Sequence, residues 1–258
     1  NDGNMSARIG DDRIVATPAG LCKGTLSLED LCVCDMDGKK VSGSRNPSSE
    51  IGMHIFLYRE RPDIGAVVHA HPPTATGFSV ASIPLTACVL PEMIISLGSV
   101  PIADYGTPGG PEISEPIRKY VKDYDAYLLQ NHGATTVGPD IMNAYFKMET
   151  LEHFARILFV ARQLGDVNVL DREEVEKLLQ IRERLGIRGP DPACSLDPPE
   201  AASPDTQQAG GAIPTLRTRS AAPAEGANTP DASPTSDHES DLVEDITRRV
   251  IAELRKGQ

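Results

Sequence analysis

The chain has 258 residues, of which 40% are hydrophobic, and a formal net charge of −12. That charge speaks against a nucleic-acid surface, and the longest apolar runs, such as 66–68 and 157–161, are far too short to span a bilayer. Five cysteines without a framework spacing point to a reducing compartment, and no secretory signal is visible.

In chain order, the first element with chemical content is an apparent strand over 31–35 carrying Cys32 and Cys34 on one face. Such a pair can bind metal or cycle redox states, but two small thiols on a strand read better as buried hydrophobes. Next comes Asn46-Pro-Ser-Ser-Glu50, which predicts a helix from Glu50 to Arg61 with Ser48 or Ser49 as its N-cap. Backbone N–H groups and hydroxyls at such a start can seat a phosphate; taken alone, they are also an ordinary cap followed by an acidic first turn. The apolar run Gly65-Ala-Val-Val68 then leads into His69-Ala-His71, and a third histidine stands in Gln130-Asn-His132-Gly133. A strand sends alternate side chains to one face, so His69 and His71 can close on one ion while His132 arrives from elsewhere. Three neutral imidazoles suit one divalent cation per subunit, zinc above all, with positions left open for substrate. On spacing alone, three satisfied core or surface histidines remain the alternative.

From residue 189 to 238 the composition turns to Pro, Ala, Ser, Thr, Gly and Gln, which predicts a disordered linker. Residues 239–258 then read as a short amphipathic helix, with Leu242, Val243, Ile246, Val250 and Leu254 in one stripe and Ser240 as its cap. A lone helix of that length is marginal in water, so its apolar stripe calls for a partner.

The segments Gly3-Asn-Met-Ser-Ala-Arg8, Thr17-Pro-Ala-Gly20, Asn46 to Glu50, Ala66 to His71, Val100 to Tyr105 and Leu128 to Gly133 together resemble the class II aldolase/adducin family, within it the L-fuculose-phosphate aldolase type. The resemblance covers residues 1–188. It implies an α/β, three-layer domain with a central, mostly antiparallel sheet, assembled as a homotetramer with active sites between subunits. It also implies a helix ahead of Asn1. The implied activity is cleavage of a phosphorylated ketose, best L-fuculose 1-phosphate, to dihydroxyacetone phosphate and lactaldehyde. His69, His71 and His132 would hold the zinc, Glu50 would be the acid/base, and Gly3, Asn4, Gly20, Ser48 and Ser49 would cradle the phosphate.

Three positions depart from the family pattern. Glu92 and Leu185 stand where tyrosines thought to protonate the leaving aldehyde are expected, leaving Glu92 and Tyr105 as candidates, and Ala19 replaces a threonine of the phosphate site. The same residues would serve a rhamnulose-1-phosphate aldolase, a methylthioribulose-1-phosphate dehydratase, a sugar-acid phosphate decarboxylase or a pentulose-phosphate epimerase. A non-catalytic adducin-like assembly module is the remaining alternative. The linker and terminal helix resemble the encapsulation peptides that bind shell proteins of bacterial microcompartments, which implies a bacterial cytoplasmic enzyme held in such a lumen. A helix that docks back on the domain, an oligomerising coil or a membrane-surface anchor are the competing readings of that tail.

Overall fold

In the computed structural model, which describes residues 2–187 and 189–194, the alternation along β5 (Ala66–Ala70) sorts the core into two faces. Ala66 and Val68 face one layer, and Val67 faces the other, so His69 follows Val67. β5 lies near the middle of an eight-stranded sheet ordered β4-β3-β2-β1-β5-β8-β7-β6. The other strands are β1 (Asn4–Ile9), β2 (Arg13–Ala16), β3 (Cys32–Asp35), β4 (Lys40–Ser42), β6 (Ile102–Ala103), β7 (Ala126–Leu129) and β8 (Gly133–Gly138). All neighbours are antiparallel except β6 and β7, as the expected mostly antiparallel sheet requires.

One face is covered by α2 (Pro73–Val80), α3 (Pro91–Ser96) and the long α4 (Ile141–Leu164), with Phe78, Met93, Leu151 and Leu158 packed onto Val68 and Leu128. The opposite face carries α1 (Ile51–Glu60) and the helical turns around Ile113 and Ile117, closing over Ile14, Val67, Tyr127 and Val137. The result is the three-layer α/β arrangement. Burial of two such apolar faces is what holds the layers together.

α1 begins at Ile51, one residue later than expected, because Ile51 N–H donates to the Ser48 carbonyl and Glu50 N–H to Ser48 Oγ. That turn makes Glu50 the N-cap in place of either serine. The helix stops at Glu60 because Arg61 precedes a proline and leaves helical geometry. Cys32 and Cys34 are fully buried, and burial raises the Cys34 thiol to about 11, which fits the small-hydrophobe reading.

α5 (Arg172–Arg184) packs on α3 through Val175 and Ile94. Beyond it, Cys194 forms a disulfide with Cys88, while Ala193 N–H donates to Ser99 Oγ and Pro190 accepts from the buried Arg182. The chain is thus tied to the domain past the expected linker boundary at 188. Cys22, Cys32 and Cys34 are the free thiols among the described residues. The remainder of the expected linker and the whole 239–258 helix lie outside the described residues.

Candidate metal centre and active site

His69 is held on the α1 face of β5, its Nδ1 2.9 Å from the Ala134 carbonyl oxygen and 3.1 Å from Thr135 Oγ1. Strand pairing puts Thr135 of β8 directly opposite. A carbonyl only accepts, so Nδ1 carries the proton and Nε2 keeps its lone pair. That Nε2 lies 3.1 Å from His71 Nε2.

The third imidazole comes from the turn between β7 and β8. Asn131 adopts the left-handed conformation there, φ 56°, a region asparagine tolerates, and His132 N–H closes the turn onto the Leu129 carbonyl. The ring centroids form a near-equilateral triangle with sides of 5.0, 4.8 and 4.7 Å, and the three ligating nitrogens all lie within 4.8 Å of one another. Zinc–nitrogen bonds of about 2.0–2.1 Å at tetrahedral angles separate two ligand nitrogens by about 3.3 Å. The His69–His71 spacing therefore fits a shared divalent cation.

Glycine secures this closeness. A Cβ on Gly133 would stand 2.6 Å from both the Ala70 carbonyl oxygen and His71 Cδ2. Gly3, at φ 82°, runs against the His69 carbonyl in the same way, so a side chain there would push β1 away from the ligand strand.

Electrostatics favours the ligating form of the histidines. Burial drives His69 well below its ordinary range, with His132 and His71 adding to the effect. Burial also lowers His132, opposed by the Glu50 carboxylate. Neutral imidazoles are what a cation needs.

Glu50 enters from the N-terminus of α1 and is buried. Its Oε2 accepts from Asn4 Nδ2 at 2.8 Å and lies 3.5 Å from His69 Nε2. Its Oε1 lies 3.2 Å from His132 Nε2 and has no hydrogen-bond partner. His132 Nδ1 is likewise without one. A carboxylate whose two oxygens each face an imidazole nitrogen in a buried site calls for a cation or a proton between them.

The expected phosphate cradle is brought together in part. An isolated bridge between Pro18 and Pro47, with Ala19 N–H donating to the Asn46 carbonyl, sets the Gly20 loop beside Ser48 and Ser49. Gly20 is exposed at φ 75°. Ser49 lines a cavity of about 380 Å³ shared with Glu50, Phe56, Gly109 and Gly110. Asn4 Nδ2 donates to Glu50 Oε2 and, at 3.0 Å, to Ser48 Oγ, which ties it to both the carboxylate and the serine of that cradle. Glu92 is exposed in the first turn of α3. Tyr105 is exposed too, but its N–H donates to Gln130 Oε1, which ties it to the loop that carries His132. Thr135 and the Ala134 carbonyl escaped sequence reasoning because their role follows from strand pairing; the alternation of β8 could have found Thr135 once its partner strand was known.

Residues 1–159 match the family model described as Class II Aldolase and Adducin N-terminal domain. The chain belongs to the class II aldolase and adducin family. Aldolases of this class use a divalent metal, and the three-histidine group could hold one. Among similar class II proteins, an L-fuculose phosphate aldolase of Methanococcus maripaludis is 36% identical over 162 residues, which is 63% of this chain and 87% of that protein. A 3-oxo-tetronate 4-phosphate decarboxylase of Pectobacterium atrosepticum is 33% identical over 186 residues, 68% of this chain and 82% of its own. Among solved class II structures, an L-fuculose 1-phosphate aldolase superposes with a TM-score of 0.65 at 31% identity, covering 70% of this chain and 86% of the other.

Proposed function

We propose that this class II family member is a metal-dependent aldehyde-lyase that splits a deoxyketose 1-phosphate, L-fuculose 1-phosphate first among candidates, into dihydroxyacetone phosphate and lactaldehyde. The observation that carries the reading is the convergence of His69, His71 and His132 with an unpartnered oxygen of Glu50 beside them. A divalent cation, zinc by choice of ligands, would be held by the three imidazoles and would supply Lewis acidity at the substrate oxygens.

The chain's own residues account for the rest. Breaking the bond between C3 and C4 requires the C4 hydroxyl to release its proton as the aldehyde forms, and it leaves an electron pair on C3 of the phosphorylated half, so a proton must reach that carbon. Glu50 is the group placed to deliver it, with Oε2 fixed by Asn4 and Oε1 free to carry and release the proton. Ser48, Ser49 and the Gly20 backbone form the anion seat that anchors the phosphate and orients the reacting bond. Gly3 contributes by letting β1 approach, and Asn4 by orienting Glu50.

A second reading has its own support. Glu92 stands where the resemblance expects a tyrosine that exchanges a proton with the aldehyde oxygen, and loss of carbon dioxide from a 3-oxo sugar-acid phosphate has no such hydroxyl proton to move. The resemblance to the tetronate-phosphate decarboxylase covers 68% of the chain, against 63% for the Methanococcus maripaludis aldolase. Incubating the metal-loaded protein with L-fuculose 1-phosphate and with a 3-oxo-tetronate 4-phosphate separates the two. Lactaldehyde release supports the first; carbon dioxide from the acid alone overturns it.

The assembly belongs to the same proposal. Exposed Met142, Tyr145, Phe146, Phe159, Val160 and Leu164 on α4 offer apolar surface for a homotetramer with active sites between subunits. The stripe of Leu242, Val243, Ile246, Val250 and Leu254 would dock on a shell protein and place the enzyme in a bacterial microcompartment. A fluorescent cargo fused to residues 239–258 should enter co-expressed shells, and Ile246→Glu should keep it out; equal recovery of both cargoes ends that part of the reading.

A further inference from the structure

The inner face of α1 and the facing side of β1 carry two polar stripes in matching steps. Glu50, His54 and Tyr58 recur every four residues along the helix, a rise of about 6 Å, and Asn4, Ser6 and Arg8 recur every two along the strand, a rise of about 6.8 Å. They meet rung by rung. Asn4 donates to Glu50 at 2.8 Å, Ser6 Oγ lies 2.7 Å from His54 Nδ1 and 2.9 Å from Tyr58 OH, and Tyr58 OH donates to the Ser6 carbonyl at 2.9 Å. Arg8 closes the far end, donating to the Tyr58 carbonyl at 2.9 Å with its guanidinium 4.8 Å from that ring's centroid.

Proton counting fixes how the middle rung works. Tyr58 has one hydrogen, given to the Ser6 carbonyl, so the Ser6 hydroxyl must donate to Tyr58 OH. His54 Nδ1 must then be the donor to Ser6 Oγ. This Nδ1–H form satisfies all three contacts, and the price is a bare His54 Nε2, which has no partner. Polar groups in an otherwise apolar layer of Met53, Leu57 and Val67 add nothing to packing that leucines would not supply. What hydrogen bonds add is a single register.

We propose that Ser6, His54 and Tyr58 are positioning residues that fix the height of α1 on β1 and thereby hold Glu50 against the histidine triangle. The inference rests on the reading of Glu50 as the acid/base. His54 acts on the reacting centre through the helix it sits on, four residues along from Glu50, and its ring is also close enough to His69 for a charge on one to disfavour a charge on the other.

The test compares two nearly isosteric substitutions. His54→Asn can place an amide donor near the Nδ1 position, whereas His54→Leu fills similar space without one. In metal-loaded protein, His54→Leu should lower kcat about ten- to a hundredfold with KM and metal content held within about twofold, and His54→Asn should recover most of the loss. In metal-free protein, amides of residues 51–54 should exchange at least about tenfold faster in His54→Leu than in His54→Asn. Tyr58→Phe removes one hydroxyl and serves if His54→Leu does not fold; it should show the same kcat loss at unchanged KM. Wild-type kcat in His54→Leu or Tyr58→Phe overturns the proposal, as do equal losses in the Leu and Asn variants. If wild-type protein cleaves no phosphorylated ketose, the lyase reading fails, and the metal-free exchange comparison still decides the ladder: equal exchange overturns it.

Discussion

At the scale of single residues, the decisive asymmetry is within Glu50, one oxygen held by Asn4 and the other bare beside His132. Glu50→Gln should keep fold and metal yet cut turnover by roughly 100-fold or more, the usual scale of an acid/base contribution, measured by steady-state kinetics with metal analysis. An unchanged kcat would return the residue to being a helix cap. The buried histidines give a pH prediction. His54, pushed by burial from 6.5 to about 3, and His69, lowered well below 6.5, stay neutral in the fold but take up protons when unfolded. The unfolded state therefore binds more protons below pH 6.5, and stability should fall as pH drops from there toward 3. Urea unfolding of metal-free protein across that range should show the decline, with a shallower slope in His54→Asn. The histidine pair was legible because a strand repeats every two residues. The bond from Asn4 to Glu50 was not, because it depends on how two distant segments lie against each other.

Among elements, α1 and β3 were readable from local signals, the serine–glutamate start and the proline stop of one and the alternating thiols of the other. What local signals missed is how α2 begins. It starts at Pro73, directly after His71-Pro72, and its first-turn N–H groups at Thr74 and Ala75 donate to the carboxylate of Glu152 on α4 at 3.0 and 2.8 Å. A carboxylate at a helix N-terminus is favourable for both charge and hydrogen bonding, and here it also anchors the chain where it leaves the metal ligands. Glu152→Ala should lower unfolding free energy by about 1.5–3 kcal/mol, as loss of hydrogen bonds to a charged group does. Chemical denaturation reads this directly, and a change under about 0.5 kcal/mol, the range of neutral surface substitutions, would refute the anchor.

For the molecule as a whole, the family resemblance carried by the ordered motifs implied a three-layer domain, but not the strand order β4-β3-β2-β1-β5-β8-β7-β6 or the Cys88–Cys194 bridge. Pairings across the chain follow from packing of the finished layers, and the two cysteines stand 106 residues apart, far from any framework spacing. The histidine triangle has the same non-local origin, since His69 and His71 come from β5 and its exit while His132 comes from the β7–β8 turn. An ion bound there recognises only the folded chain, so mass action would couple its concentration to folding: about 2.7 kcal/mol of added stability when free metal exceeds Kd a hundredfold. The melting temperature should climb with the logarithm of added zinc, fall back with chelator, and lose this dependence in His71→Ala. A cell short of the metal would then hold less of this protein as well as a less active one, because the emptied fold spends more of its time open to proteases.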